Sequence, residues 1–174
     1  CGIEKPVGWP IAQEGRAVQL QLATWQEVER YLQTSSGVIL PIGSAEQHGP
    51  NGLIGTDAIC PEVIARGLGE AAGALVAPTI SVGIAQHHLG FAGSMCLRPS
   101  TLIALIRDYV VSLSRHGFDR FFFLNGHGGN IATVQAAFAE IHSEVSMMTR
   151  PAARPVRCKL ANWWDAEGVQ KLSA

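Results

Sequence analysis

Two polar loops of this sequence contain the side chains best suited to chemistry. The first loop follows an apolar run and contains Glu46, His48 and, at its end, Asp57, whereas the second follows another apolar run and contains His127. Two carboxylates and two imidazoles without a thiolate suit a divalent ion such as zinc, manganese or iron. If the fold brings the two loops together, these four residues predict a metal site, in which Asp57 could bridge two ions.

Each of these residues also has an ordinary structural interpretation. Glu46 and His48 could be solvated loop residues, Asp57 a helix N-cap and His127 a hydrogen-bonded turn residue. The glycines around His127 could instead cradle a phosphate at the start of the next helix, but their spacing matches neither a Walker A loop nor GxGxxG. The residue types by themselves leave these alternatives open.

The elements that would position the loops alternate between helices and strands. Apolar spacing, a capping box at Thr24 to Glu27 and helix-ending glycines predict the following order. It comprises helix 24–33, strand 38–42, helix 57–72 capped by Asp57, extended segments within 74–84, a helix from Pro99 to about Gly117, strand 121–124, a helix capped by Asn130 and strand 156–160. This order predicts an α/β fold, a three-layer α/β/α sandwich with a mostly parallel central sheet. Loops at the carboxyl ends of such strands hold the working residues.

Composition excludes several other classes of protein. The 174 residues carry a net charge of -1, which offers no electrostatic surface for nucleic acid, and no apolar run approaches the length of about 18 residues that a membrane span requires. The four cysteines, Cys1, Cys60, Cys96 and Cys158, match neither a zinc knuckle nor a disulfide framework, so a reducing, cytoplasmic setting is expected.

The two loops resemble those of the creatininase (creatinine amidohydrolase) family, whose pattern runs P-x-G-S-x-E-Q-H-G-P, then G-T-D, then N-G-H-G-G-N. Residues 41–50, 55–57 and 125–130 match the three blocks in order, and the segment around His88 resembles the family's H-x-x-F-x-G-T. The likeness extends from about residue 24 to residue 164. A match of several blocks in the correct order is specific.

The resemblance implies a three-layer hydrolase in which one or two divalent ions are held by Glu46, His48, Asp57 and His127. Zinc is the first expectation, with manganese or iron as alternatives. It also implies a small amide substrate and a homo-oligomer, commonly a hexamer in the family. Creatininase carries a glutamate ligand where this sequence has Gly129, so one ligand of that enzyme's second metal is missing here.

The resemblance predicts a metal-dependent amidohydrolase that attacks a non-peptide C–N bond with activated water. A general acid must protonate the leaving nitrogen, and His88 is the predicted catalytic residue. The alternatives are a deformylase or peptidase of the same family, or an inactive metal-binding homologue. The family has a further histidine and glutamate in a C-terminal block, so residues 1–174 are expected to form a single creatininase-like domain without its C-terminal part.

Overall fold

The computed structural model describes residues 18–148 and 155–172, so Cys1 lies outside the described residues. Helices and strands alternate along this part of the chain. The helices are α1 (Trp25–Leu32), α2 (Thr56–Ala72), α3 (Pro99–Ser114), α4 (Ile131–Met148) and α5 (Glu167–Leu172), and the strands are β1 (Gly37–Ile42), β2 (Leu75–Val76), β3 (Arg120–Asn125) and β4 (Arg157–Asn162).

The four strands form one parallel sheet in the order β2-β1-β3-β4. The last residue of β1, Ile42, lies opposite the last residue of β3, Asn125, which lies opposite Asn162 of β4. Three strands therefore end at the same level, and the loops after β1 and β3 leave the sheet side by side. This arrangement confirms the predicted α/β fold and the meeting of the two polar loops.

Local sequence signals account for most of the helix ends. The Thr24 side chain accepts a hydrogen bond from the Glu27 backbone in a complete capping box, and α2 ends at Gly73, whose φ is 62°. The prediction that Asp57 caps α2 is wrong, because Gly55 occupies the cap position and Asp57 is the second residue of the helix. The carboxylate of Asp57 thus lies in the first turn, where it can face the neighbouring loops.

Helices cover both faces of the sheet because successive strand residues point to opposite sides. On one face, α3 and α4 pack against alternate residues of β1 and β3, and on the other α2 packs through Ala65 against Ile39 and Leu124. The first face contains the larger buried cluster, which includes Leu40, Ile42, Phe121, Phe123, Leu102, Ile106, Val134 and Ile141. Three layers result, as the sequence predicts.

The described cysteines Cys60, Cys96 and Cys158 are half-buried free thiols. Burial raises the pKa of Cys158 to about 12, so this thiol is protonated and unreactive at neutral pH. Among the helices of residues 18–148 and 155–172, none has both the length and the apolar character needed to cross a membrane.

Candidate metal centre

The loops after β1 and β3 are held against the start of α2 by two glycines. Gly43 and Gly126 are the first residues after their strands, and a Cβ on either would overlap the carbonyl oxygen of Asp57. The Gly126 N–H also donates to the Ile42 carbonyl at 2.8 Å. Only glycine allows this close approach, which fixes the first turn of α2 beside the strand ends.

Asp57 lies between two imidazole rings. Its Oδ1 is 3.0 Å from Nε2 of His48, and its Oδ2 is 2.9 Å from Nδ1 of His127. Glu46 joins the same cluster, because its Oε1 is 3.3 Å from Nδ1 of His127. Glu46 is 5% exposed and His127 is 7% exposed. The structure therefore gathers all four residues that the sequence predicts as ligands around one largely buried point.

His48 and His127 each have one ring nitrogen that points away from Asp57, here called the outer nitrogen. Both outer nitrogens face main-chain carbonyl oxygens. Nδ1 of His48 lies 3.0 Å from the Glu46 carbonyl, and Nε2 of His127 lies 2.8 Å from the carbonyl of Ile84. Because a carbonyl oxygen only accepts, each outer nitrogen carries a proton. In a neutral ring the inner nitrogen then presents a lone pair, which is the arrangement found in metal-ligating histidines.

A proton and a metal ion would compete for the space between His127 and Asp57. Burial lowers the pKa of His127, but hydrogen bonds to Asp57 and Ile84 and the charge of Glu46 outweigh it and raise this pKa above 6.5. Burial raises the pKa of Asp57, but contacts with His127 and His48 outweigh it and hold this pKa below 3.8. The cluster thus attracts positive charge, and two carboxylates with two inward lone pairs fit a divalent ion.

His88 reaches the same cluster from a third loop. Its Nε2 is 3.5 Å from Oε1 of Glu46, and its Nδ1 is 3.0 Å from the amide Nε2 of Gln47. The adjacent His87 is exposed, and its ring centroid lies 4.1 Å from that of His88. The structure thus places the predicted catalytic residue beside the predicted ligands.

Two sets of side chains among the described residues have donor atoms close enough to share an ion. In each set the donor atoms lie within 4.8 Å of one another. One set consists of Glu46, His48 and Asp57, and the other of Glu46, His87 and His88. The first set contains three of the four ligands that the sequence predicts and leaves out His127, whereas the second requires a lone pair on the His88 ring.

Gln47 is a residue of this site that the sequence analysis missed. Its Oε1 accepts a hydrogen bond from the Gly49 N–H at 2.8 Å, while its Nε2 faces His88. The available signal was its position between two predicted ligands, Glu46 and His48, in the first loop. A glutamine is a common loop residue, so position alone did not distinguish it.

The glycines of the second loop serve close packing instead of a phosphate cradle. A Cβ on Gly126 would meet Asp57 and Pro61, and a Cβ on Gly129 would meet the His127 ring and the Ile84 carbonyl. Protein atoms therefore fill the space beside two of the three glycines. These contacts give Gly126 and Gly129 a packing role that requires no phosphate.

An apolar groove of about 510 Å³ lies at the opposite edge of the sheet. The amino ends of β1, β3 and β4 and the last turns of α2 line it, with Phe121 and Cys158 among the contributing residues. A six-residue strand spans about 20 Å, so this groove is remote from the Glu46 cluster. The polar edge and the apolar groove are separate features of the fold.

Comparison of the sequence with known proteins gives a consistent set of relatives. A family model described as creatinine amidohydrolase matches residues 21–174. The chain is 35% identical over 113 residues to a mycofactocin precursor peptide peptidase of Mycolicibacterium smegmatis, covering 62% of this chain and 45% of that protein. It is 34% identical over 113 residues to a creatinine amidohydrolase of Pseudomonas putida, covering 62% and 44%. The chain spans about half the length of these curated relatives.

Comparison of the structure leads to the same group. A manganese form of creatininase superposes with a TM-score of 0.79 at 26% identity, covering 85% of this chain and 59% of that chain. A Zn–Zn form of a creatininase variant superposes with a TM-score of 0.80 at 25% identity, covering 89% and 62%. The fold is thus similar to that of the manganese and Zn–Zn forms of creatininase.

Proposed function

The chain belongs to the creatininase family, and from this membership we propose that it acts as a metal-dependent amidohydrolase on a C–N amide-type bond of a small molecule. One observation carries the proposal. Both rings that flank Asp57 bond outward to main-chain carbonyls, so that the neutral forms of His48 and His127 would direct a lone pair towards a metal ion beside Asp57. Metal-ligating histidines usually donate their other ring N–H to such an acceptor, which fixes the orientation of the ring.

The proposed ligands are Glu46, His48, Asp57 and His127, which would hold one or two divalent ions. Zinc is proposed first, because imidazole and carboxylate donors suit it, and manganese and iron are the alternatives. The manganese and Zn–Zn forms of related creatininases support this choice. When bound, such an ion polarises a scissile carbonyl and makes a water nucleophile available near neutral pH.

The chain's own side chains would orient the reacting groups. The Ser44 hydroxyl donates to Oε2 of Glu46 at 3.4 Å, which leaves Oε1 directed at His127 and His88. Asp57 would serve both imidazoles through its two oxygens. His88 is proposed as the residue that contacts the amide of the substrate, since it approaches the cluster without belonging to the two loops of the ligands.

A peptide amide is the second candidate substrate. The similarity to a peptide peptidase equals that to a creatinine amidohydrolase, with identities of 35% and 34%. Exposed apolar side chains also adjoin the site residues in sequence, with Leu53 at 67%, Leu89 at 55% and Phe91 at 55% exposure. Such side chains could contact apolar residues of a peptide, whereas creatinine would not need them.

Element-resolved metal analysis of protein purified without chelator or metal-affinity resin tests the proposal. We expect one or two equivalents of zinc, manganese or iron, and their loss in the Glu46→Ala/His127→Ala double variant. The Glu140→Ala/His142→Ala double variant is the matched control, because both side chains are exposed on α4. Absence of metal after reconstitution with all three ions would overturn the proposal.

A substrate screen on the metal-loaded protein then distinguishes the two candidates. Creatinine would give creatine by ring opening, formylated amines would give formate, and peptides would give fragments. Ring opening or formate release supports the small-molecule amide, and peptide fragments support the second candidate. Binding of metal without turnover of any of these classes would favour an inactive homologue.

A further inference from the structure

We propose that Gln47 is a positioning residue that fixes the proton of the neutral His88 ring on Nε2. His88 then presents a hydrogen-bond donor to the site and not a lone pair for a metal ion. The catalytic meaning of this arrangement rests on the proposed hydrolase function. The position of the proton, however, can be measured without any activity.

The first step concerns the orientation of the Gln47 amide. The backbone nitrogen of Gly49 lies 2.8 Å from Oε1 of Gln47. A backbone N–H can only donate, so the atom of Gln47 that faces it must be the oxygen. The NH₂ group of Gln47 must therefore be the group that lies 3.0 Å from Nδ1 of His88.

The second step infers the proton position on His88 from the NH₂ group of Gln47. An amide NH₂ group can only donate, so Nδ1 of His88 accepts and its neutral ring carries the proton on Nε2. That Nε2 lies 3.5 Å from Oε1 of Glu46, which is an acceptor when Glu46 is ionised. Donors and acceptors thus match at every contact from Gly49 through Gln47 and His88 to Glu46.

The third step separates His88 from the metal ligands. A ring with its proton on Nε2 has no lone pair directed at Glu46, so His88 does not complete the ligand set of Glu46 and His87. His48 and His127 have the opposite arrangement, because their outer nitrogens face carbonyl oxygens. His88 is the member of the cluster that offers a hydrogen to a substrate.

This arrangement revises the chemical role predicted for His88. A general acid needs protons on both ring nitrogens, which would place an Nδ1–H of His88 against the N–H of Gln47. A neutral ring with Nε2–H can instead donate a hydrogen bond to a carbonyl oxygen as negative charge develops on it. His88 would then be the catalytic residue, and Gln47 would act through it.

The Gln47→Glu variant reverses the polarity with little change in shape. A carboxylate still accepts from the Gly49 N–H, but it also presents an acceptor to Nδ1 of His88. Nδ1 of His88 should therefore carry a proton in this variant. Gln135→Glu adds the same charge on an exposed position of α4 and is the matched control. Gln47→Leu removes the amide without adding charge and should give a mixture of both tautomers.

Two-bond ¹H–¹⁵N correlation spectra of the zinc-loaded protein report the tautomer of each histidine ring. The His88 signals are identified by their loss in His88→Asn. We expect a protonated Nε2 in the wild type and in Gln135→Glu, and a protonated Nδ1 in Gln47→Glu. A protonated Nδ1 in the wild type, or an unchanged tautomer in Gln47→Glu, would overturn the inference. If the protein retains no zinc, the same spectra are recorded on the metal-free protein, and the same tautomers support or overturn the inference.

Kinetics on a substrate from the screen test the catalytic role. Loss of one donor to a developing oxyanion lowers kcat by about 100-fold or more, so His88→Ala should lower kcat and change KM little. A change in KM alone would overturn the role of His88 as that donor. If no substrate is hydrolysed while the spectra agree with expectation, the hydrolase proposal fails and the placement of the proton stands.

Discussion

Two kinds of histidine surround the Glu46 and Asp57 carboxylates, and the group behind each ring distinguishes them. His48 and His127 have main-chain carbonyl oxygens behind them at 3.0 and 2.8 Å. His88 has the side-chain amide of Gln47 behind it at 3.0 Å. A carbonyl behind the ring leaves a lone pair at the front, whereas an amide N–H leaves a proton there. His88 and His127 lie 3.5 and 3.3 Å from the same Oε1 of Glu46, but their different partners suit the two rings to opposite roles.

The two arrangements also differ in how they can be changed. The partners of His48 and His127 belong to the main chain, so the fold itself holds these rings, and no single side-chain replacement removes those acceptors. The partner of His88 is a side chain, and one substitution at Gln47 changes its polarity. Metal binding should therefore be sensitive to the backbone geometry, and the donor role of His88 should be sensitive to one residue.

The largest expected effect follows from removing the acceptor that the two ligand histidines share. In Asp57→Asn, an uncharged amide replaces the carboxylate between His48 and His127, so metal affinity should fall by more than about 100-fold and turnover with it. Chelator competition and metal analysis measure the change. Asp108→Asn, at a side chain that is 73% exposed, should behave as wild type. Full metal retention in Asp57→Asn would refute the ligand assignment.

The next effect concerns the close backbone packing that positions the proposed ligand Asp57. In Gly126→Ala the added methyl group would overlap the Asp57 carbonyl and the Pro61 ring, so the free energy of unfolding should fall by about 1–3 kcal/mol. Gly128→Ala is a control in the same loop, because its Cβ would meet no atom within 4 Å. Denaturant unfolding compares the two variants. Equal stability of both would contradict the requirement for close packing at Gly126.

The smallest effect is a pH dependence that should distinguish the two kinds of histidine. Because the pKa of His127 is raised, its proton competes with the metal ion at higher pH than an ordinary histidine would allow. The pKa of Asp57 is lowered, so this carboxylate stays ionised. Metal affinity should fall as the pH decreases, approaching tenfold per pH unit for each proton displaced.

Zinc titrations with a competing chelator between about pH 5 and 8 measure this dependence. His88→Asn should show the same slope as the wild type, because His88 is not proposed as a ligand. If the metal affinity of the wild type does not change with pH, no proton competes with the metal ion at His127. A slope altered by His88→Asn would instead place His88 among the ligands.

Local patterns in the sequence were enough to predict most of the fold. The capping box at Thr24 and the turn glycine at Gly73 mark helix ends through contacts within a few residues. The uninterrupted apolar run from Phe121 to Leu124 is typical of a strand covered on both faces. The N-cap assignment of Asp57 failed because Gly55 fits that position and the packing of Gly43 and Gly126 directs the carboxylate elsewhere.

The candidate site also has features that the local sequence predicts and features that depend on residues far apart in the chain. The identities of Glu46, His48, Asp57 and His127, and the order of the loops that carry them, followed from the sequence. The proton positions did not, because they depend on contacts such as that of His127 with Ile84, 43 residues away, and that of His88 with Gln47, 41 residues away.

The sequence by itself therefore determined which donors are present and that parallel strands would carry them to one edge. Only the tertiary structure decided which nitrogen of each ring faces Glu46 and Asp57. The physical reason is that an imidazole has two nonequivalent nitrogens whose proton is placed by the hydrogen-bonding partner, and these partners are chosen by the packing of segments far apart in the chain.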